Sequence, residues 1–322
     1  MEELKIIYEG EDVTKNLEPY LLSLTVNDKL SGEADDLNLT LADKDKKFLG
    51  QWFPTRGSSI TIKIGSLDCG RFEVDEVTVN SPPTTCAVKA TSIAQLSELR
   101  QVDESKSWEN VKLSKIAKDI ADESNVELFY EADFDPEITR AEQSEYSRLA
   151  FLEKICADWG LIVKVSDGKL IVYPEEQLET RDAVKTISWE ELIHFQARAT
   201  LNEVYKDCQV NYKHATKSEL FSATATDSTK TEGKTLKINK KVSSQAEAEH
   251  LAKHELRKKN KHEFEVTLTK RFDAELVAGN NFELDDSFGF FKGKWLIDEA
   301  THTVNRQGSV TKVKAHRVQS SS

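Results

Sequence analysis

The chain has 322 residues, 38% of them hydrophobic and 31% charged, with a net charge of −12, a length that suggests two or three domains. No apolar run approaches the roughly 18 residues that a membrane span requires, so stable membrane insertion is not expected. The acid excess argues against a surface built to grip nucleic acid, which needs clustered Lys and Arg to release counterions.

The start of the chain, Met1-Glu2-Glu3-Leu4-Lys5-Ile6, carries acid where a signal peptide carries base, which predicts folding in the cytoplasm without export. Residues 4–9, 20–27, 37–42 and 59–64 are short runs rich in Leu, Ile, Val and Thr. Alternation in Leu37, Leu39, Leu41 and in Ile60, Ile62, Ile64 turns one face inward, as a half-buried strand requires. Ser31-Gly32 and Asp35-Asp36 supply turns, and Ser81-Pro82-Pro83-Thr84 separates two strands of a predicted hairpin, 70–79 and 85–91. Residues 1–102 therefore read as a small closed or nearly closed β-barrel or sandwich, taken here as a barrel domain.

The pattern then changes. After Ser107, the residues Val111, Leu113, Ile116, Ala117, Ile120 and Ala121 recur at near-helical spacing and predict a helix of about four turns. A second helix is expected over 145–159, with Leu149, Leu152, Ile155, Cys156 and Trp159 on one face and Gly160 as its stop. Residues 161–165 and 169–173 then form a hairpin around Ser166-Asp167-Gly168. These elements make 103–180 a small α+β domain, with a polar linker running from Pro174 to Lys185. Residues 181–322 read as a second β-barrel domain, with a strand at 203–212 and an inserted helix at about 244–259. The thin apolar content of that helix, Ala246, Ala248, Leu251 and Leu256, predicts a surface position. The fold class is α+β and β-rich: two related small barrels flanking an α+β domain.

The two barrels are related because the sequence repeats. Gly70-Arg71-Phe72-Glu73-Val74-Asp75-Glu76-Val77-Thr78 returns about 220 residues later as Gly293-Lys294-Trp295-Leu296-Ile297-Asp298-Glu299-Ala300-Thr301. Only Glu73 and Leu296 differ in character. Val88-Lys89-Ala90 matches Val313-Lys314-Ala315, residues 57–62 match 279–284, and residues 37–41 match 264–268. Four matches in one order establish an internal repeat, and Phe72 and Trp295 are expected at equivalent interior positions. Two similar units in one chain let an odd-numbered ring mimic a ring of twice its number. Charge is also uneven: residues 1–50 hold 12 acids against 6 bases, and residues 231–271 hold 11 bases against 6 acids, a polarity suited to steering contacts between subunits.

Trp295-Leu296-Ile297-Asp298-Glu299-Ala300-Thr301-His302, followed by Asn305-Arg306-Gln307-Gly308-Ser309-Val310-Thr311, resembles the closing hairpin of the phage tail hub family often called late control protein D. The run from Gln143-Ser144-Glu145-Tyr146-Ser147-Arg148 through Phe151-Leu152 to Trp159-Gly160 resembles the polar entry to that family's Phe-Leu helix. The resemblance covers most of the chain in order. It implies a baseplate hub, a homotrimer whose six barrels form a pseudo-hexameric ring between the sixfold tail tube protein and a threefold spike. It further implies contact with the tape measure protein and other baseplate proteins, passage of DNA through the lumen without specific binding, and a final location in the virion or injection particle. The chain resembles the hub half of type VI secretion spike proteins too, but has little length after the Trp295 hairpin, so the spike is expected as a separate polypeptide.

No catalytic, cofactor or metal site is predicted. Glu131, Asp133, Asp135 and Glu137 lack the glycine and terminal glutamate of an EF-hand loop and read as a solvated loop. His250 and His254 sit four apart on the predicted helix with His262 beyond, but Leu251-Ala252-Lys253 between them is no HExxH motif, and Arg257-Lys258-Lys259 would repel a cation. Asp75-Glu76 and Asp298-Glu299 recur in both repeats and suggest a structural duty at strand ends or between barrels. Cys69, Cys86, Cys156 and Cys208 share no close spacing and read as buried free thiols. The competing function is a carbohydrate- or cell-wall-binding module using Trp52, Phe53, Trp108 and Trp189, although such residues are expected to pack in a core.

Overall fold

Alternation of apolar and polar residues builds the first repeat. In the computed structural model, which describes residues 2–31, 34–92, 99, 105–166, 169–213, 220–242 and 244–319, Leu37, Leu39 and Leu41 are all buried on one face of a strand whose other face is half exposed. The strands of this repeat are β1 (Leu4–Tyr8), β2 (Glu11–Asp12), β3 (Leu21–Lys29), β4 (Asp36–Ala42), β5 (Ser59–Ile64), β6 (Leu67–Asn80) and β7 (Thr85–Thr91), with a short helix α1 (Thr14–Leu17). The β6–β7 hairpin turns at Ser81-Pro82-Pro83-Thr84, as the sequence suggests.

The middle unit contains β8 (Lys106–Lys112), α2 (Leu113–Glu123), β9 (Glu127–Tyr130), β10 (Glu137–Gln143), α3 (Arg148–Ala157), β11 (Leu161–Ser166), β12 (Lys169–Pro174) and α4 (Glu175–Thr180). Its first helix is shorter than expected. Residues up to Lys112 are extended because they pair with β10, which places Ala141 opposite Trp108. Val111 thus belongs to a strand, and the helical spacing holds only from Leu113 onward. Ser147 caps α3 by accepting from Ala150 N, and Gly160 follows it with φ +75°, a left-handed conformation glycine tolerates. β11 and β12 pair as a hairpin, while Asp167 and Gly168 of its turn, like Gly32 of the Ser31-Gly32 turn, lie outside the described residues. The expected linker after Pro174 is instead the helix α4, which buries Leu178.

The second repeat comprises β13 (Ala183–Ile187), β14 (Leu192–Ala199), then β15 (Tyr205–Lys213), β16 (Leu220–Thr226), β17 (Lys234–Ile238) and α5 (Gln245–Asn260), and resumes with β18 (Phe264–Arg271), β19 (Asn281–Leu284), β20 (Gly293–Asn305) and β21 (Gly308–Arg317). The insertion is larger than a helix: β15, β16 and β17 form a separate sheet. Ala248, Leu251, Ala252 and Leu256 of α5 are buried with Cys208 and Val210 of that sheet. The helix needs few apolar residues because its small alanines let it lie close to the strands, so it carries a core and not a surface role.

Strands β3–β7 of the first repeat match β14 and β18–β21 of the second. Ile60 faces Phe72 across β5–β6, and Phe282 faces Trp295 across β19–β20. Phe72 and Trp295 are both fully buried. Each long strand has a β-bulge at the same point, between Val74 and Glu76 and between Ile297 and Glu299. Gly57 donates to Val74 O and Gly279 to Ile297 O, with φ of +86° and +88°. One sequence match needs correction. Leu37 and Leu39 face Ala90 and Val88, while Val266 and Leu268 face Ala315 and Val313, so Leu37 corresponds to Val266, two residues from the sequence pairing. A slip of two preserves the inward face, which is why the pattern did not expose it.

The expectation of closed barrels is overturned. Among the described residues the strands of both repeats form one largely antiparallel 13-stranded sheet in the order β14-β18-β21-β20-β3-β4-β7-β6-β5-β1-β2, with β19 beside β20 and β13 beside β19. Neither repeat closes on itself, because β20 and β3 join the two repeats edge to edge. Beneath this sheet the repeats keep separate hydrophobic cores, one containing Phe72 and the other Trp295, and the middle unit has its own around Trp108, Phe151 and Leu152.

Candidate assembly interface

The joint between the repeats is a strand pair. The second half of β20, Glu299–Asn305, runs antiparallel to β3 from Lys29 to Ser23. Ala300, His302 and Val304 point inward and are buried, whereas Glu299, Thr301 and Thr303 point out. Thr301 donates to Asn27 Oδ1 at 2.9 Å, and the Thr25 and Thr303 hydroxyls are 3.2 Å apart. Arg306 Nε donates to Leu21 O at 3.2 Å, and Phe272, from the loop after β18, packs against the core of the first repeat. Asp28 binds all three units together, since it is on β3, accepts from Lys164 of the middle unit at 2.9 Å and accepts from Ala278 N of the second repeat at 2.8 Å.

The repeat register shows what this joint lacks elsewhere. β6 corresponds to β20 and β14 to β3, yet among the described residues β14 pairs only with β18 and the second half of β6 only with β7. Two strand edges therefore lie open. Trp52 and Phe53 in the loop after β4, Trp189 before β14 and Ile193 on it are exposed, and Phe290 is 67% exposed in the connection between β19 and β20. The core role expected for Trp52, Phe53 and Trp189 is thus not what the fold gives them. Trp108 is buried, stacked on Phe151 with its indole donating to Asp119 at 3.1 Å.

A buried charge junction fastens the middle unit to the second repeat. Asp298, the bulged residue of β20, contacts Lys261 at 3.0 Å and His316 Nδ1 at 2.8 Å. Lys261 also binds Glu175 of α4, and Arg257 of α5 binds Glu179 of α4 at 2.8 Å. His316 Nε2 is 3.8 Å from Glu179, beyond hydrogen-bond reach, so Glu179 acts on it as a charge. Burial alone would raise the Asp298 carboxyl, but His316 and Lys261 outweigh it and bring it down to about 2. Burial opposes a charge on His316, yet Asp298 and Glu179 raise it above the ordinary histidine value. Glu175, Asp298 and His316 have the spacing of a metal-binding trio, but the Lys261 ammonium bridges its two carboxylates and supplies the positive charge there. The equivalent Asp75 is exposed. The shared element is the next residue: Glu76 pairs with Lys89 at 3.1 Å and Glu299 with Lys314 at 2.7 Å, in the same register.

The other titratable candidates do not converge. Asp135 accepts from Ser114 N and Oγ at the start of α2, and Glu137 opens β10. His250 stacks on Phe134 at 4.1 Å with Nε2 3.0 Å from Trp159 O, while His254 Nε2 is 2.9 Å from Ala157 O. Both histidines dock the helix on the middle unit. His262 pairs with Glu265. Burial pushes the Cys69 thiol up to about 12 and those of Cys86 and Cys208 up to about 11, which leaves them poor nucleophiles. Strand edges and the charge junction were missed by the sequence reading because both depend on partners far apart in the chain; the paired bulge residues were the one local signal.

Comparison with known proteins agrees with this architecture. Over its full length the fold is similar to the 43 kDa tail protein of prophage MuSo2 from Shewanella oneidensis, with a TM-score of 0.74 at 14% identity over 99% of both chains. A component of the Escherichia coli type VI secretion system, c3393, aligns with a TM-score of 0.61 at 11% identity over 97% of this chain and 76% of that one. In sequence, the probable baseplate hub protein of Escherichia phage P2 is 31% identical over 172 residues, which is 52% of this chain and 43% of that protein. The match thus spans less than half the length of this curated relative. The family model of the phage tail baseplate hub (GPD) matches residues 69–308, most of the chain, and the chain belongs to that family.

Proposed function

We propose that the chain is the central hub of a contractile phage tail baseplate or a related injection particle, in which three copies close into a ring of six related repeats. The observation that carries this reading is that the β3–β20 joint occurs once within the chain while its two halves, β6 and β14, remain open. Head-to-tail contacts of this kind close as rings or run on as filaments, and a step of about one sixth of a turn per repeat closes after three copies. Such a ring offers six quasi-equivalent surfaces to a tail tube and a threefold axis to a separate spike, with the tape measure protein and other baseplate proteins as further partners. It assembles in the cytoplasm and ends in the virion or particle.

In this reading the lumen is lined by the outward face of the continuous sheet, including Thr25, Asn27, Thr301 and Thr303. On that face the Glu76–Lys89 and Glu299–Lys314 pairs cancel their own charge. Lysines paired with carboxylates in this way hold a passing DNA weakly. The role is structural, not enzymatic, and we take 1–102, 103–180 and 181–322 as its domains because most of each hydrophobic core falls within one of them, with Leu99 reaching into the middle core and Val304 and Phe272 into the first. Native mass spectrometry across a concentration series, alone and with a co-expressed candidate spike, tests the reading. A trimer in either condition supports it, and a monomer in both overturns it.

A further inference from the structure

We infer that the cavity where the three units meet, lined by Asp28, Asp35, Asp68, Lys164 and His302, is a binding site for a hydrated divalent cation of the magnesium or manganese class. The site lies within one chain and does not depend on the ring. The cavity holds about 470 Å³, room for an ion with a shell of about six waters at roughly 30 Å³ each. Its walls come from all three units: Asp28 from β3, Asp35 from the connection before β4, Asp68 from β6, Lys164 from β11 and His302 from β20.

The charges around the cavity do not balance, for three carboxylates face one ammonium. Lys164 donates to Asp28 Oδ1 at 2.9 Å, and the other Asp28 oxygen accepts from Ala278 N. Asp68 pairs with Lys63 at 2.7 Å at the rim, where both side chains are about half exposed. Asp35 accepts the Lys29 N–H at 2.9 Å. Burial raises its carboxyl to about 6 against the pull of Lys164 and of that N–H, and Asp28 and Asp36 add to the rise. A carboxyl driven upward even beside an ammonium calls for further positive charge.

His302 gives a second, independent sign. It is 1% exposed, yet its Nε2 has no hydrogen-bond partner among the described residues. Nδ1 lies 3.1 Å from Thr311 Oγ1, which accepts from Asp273 N and donates to Asp273 O. With the Thr311 proton so used, Nδ1 carries the imidazole hydrogen and Nε2 presents its lone pair, while burial keeps the ring neutral. A buried lone pair is costly until it accepts a hydrogen bond, and a water bound to the ion supplies the donor. Among the described residues Glu175, Asp298 and His316 have ligand atoms within 4.8 Å of one another; the groups around this cavity are spaced more widely, so the ion reaches them partly through its waters. Carboxylate and water ligands suit Mg²⁺ and Mn²⁺, and the neighbouring Cys69 thiol, kept protonated by burial, adds no soft ligand.

Manganese titration tests the site. The full chain, stripped with EDTA, is titrated with Mn²⁺ near neutral pH, and the loss of the free-ion electron paramagnetic resonance signal counts the bound ions. One Mn²⁺ per chain, displaced by Mg²⁺, is expected. Asp35→Asn, Asp68→Asn and His302→Phe should each weaken binding roughly tenfold or more. Lys164→Gln, which removes the competing ammonium, should tighten it, an effect that a purely structural lysine would not produce. Asp298→Asn, in the other acidic trio, should bind as the parent does. The unfolding transition of each variant is measured without metal, so that binding is compared only between folded chains. A folded parent that takes up no Mn²⁺ at millimolar concentration, or an ion lost with Asp298→Asn and kept with Asp35→Asn, overturns the assignment.

Discussion

Glu73 and Leu296 occupy the same position in the two repeats, yet Glu73 is partly exposed and Leu296 is fully buried against Leu30, Ile162 and Leu178. The only dissimilar position in the nine-residue repeat is thus the place where the middle unit rests on the second repeat. Among the described residues no such cluster covers Glu73 on β6, so a carboxylate is tolerated there.

Replacing Leu296 by Ala should cost about 2–5 kcal/mol, the range for truncating a buried leucine. Glu73→Leu should change stability by no more than about 0.5 kcal/mol. Urea unfolding of the two variants checks both values. Equal effects at the two sites would mean that the middle unit does not dock through Leu296 in solution.

Trp295→Ala should cost roughly 3–5 kcal/mol, because Trp295 is completely buried and its indole donates to Phe291 O at 3.0 Å. Phe72→Ala, at the equivalent position, should fall in the same range. Both should lose assembly through unfolding. A Trp295→Ala protein that melts like the parent but does not assemble would place that side chain at an interface instead.

The strands and the repeat were legible because each relies on local alternation, as in Leu37, Leu39, Leu41 and the Gly70–Thr78 run. Positions whose neighbours come from afar were not. Lys106–Lys112 is extended because β10 pairs with it, although Val111 continues the helical spacing of Leu113 and Ile116. The apolar face of α5 looked too thin for a core until Cys208 and Val210 supplied the other side. Barrel closure failed as an expectation for the same reason: alternation fixes which face of β3 is buried, not which strand lies beside it. The open edges could be seen only by comparing one repeat with the other in space.

Stability should depend on pH from both sides of neutrality through the junction at Asp298. The Asp298 carboxyl is held at about 2, so its contribution is present above the ordinary carboxylate range and is lost as pH falls toward that value; at 1.36 kcal/mol per pKa unit this is roughly 2 kcal/mol. His316 acts with the opposite sign. Its value is raised, so its contribution is complete below the ordinary histidine range and is lost as pH rises through the raised value. Asp298→Asn should flatten the acid limb of the stability profile and His316→Gln the alkaline limb. Denaturant unfolding across pH measures both limbs, and a His316→Gln profile parallel to that of the parent would exclude His316 as the titrating group.

Gly160 does more than stop a helix. A Cβ at this position would stand 2.6 Å from His254 Nδ1, and the backbone φ is +75°, so Gly160→Ala combines backbone strain with a collision against the helix that docks there. The imidazole has little room to retreat, because its Nε2 contacts Ala157 O and burial pushes its pKa down to about 4, keeping the ring neutral. The substitution should cost about 1–3 kcal/mol, and the double variant Gly160→Ala/His254→Ala should recover the steric part and keep the backbone part. A double-mutant cycle by thermal unfolding separates the two. Strict additivity would mean that α5 does not press on Gly160 through His254.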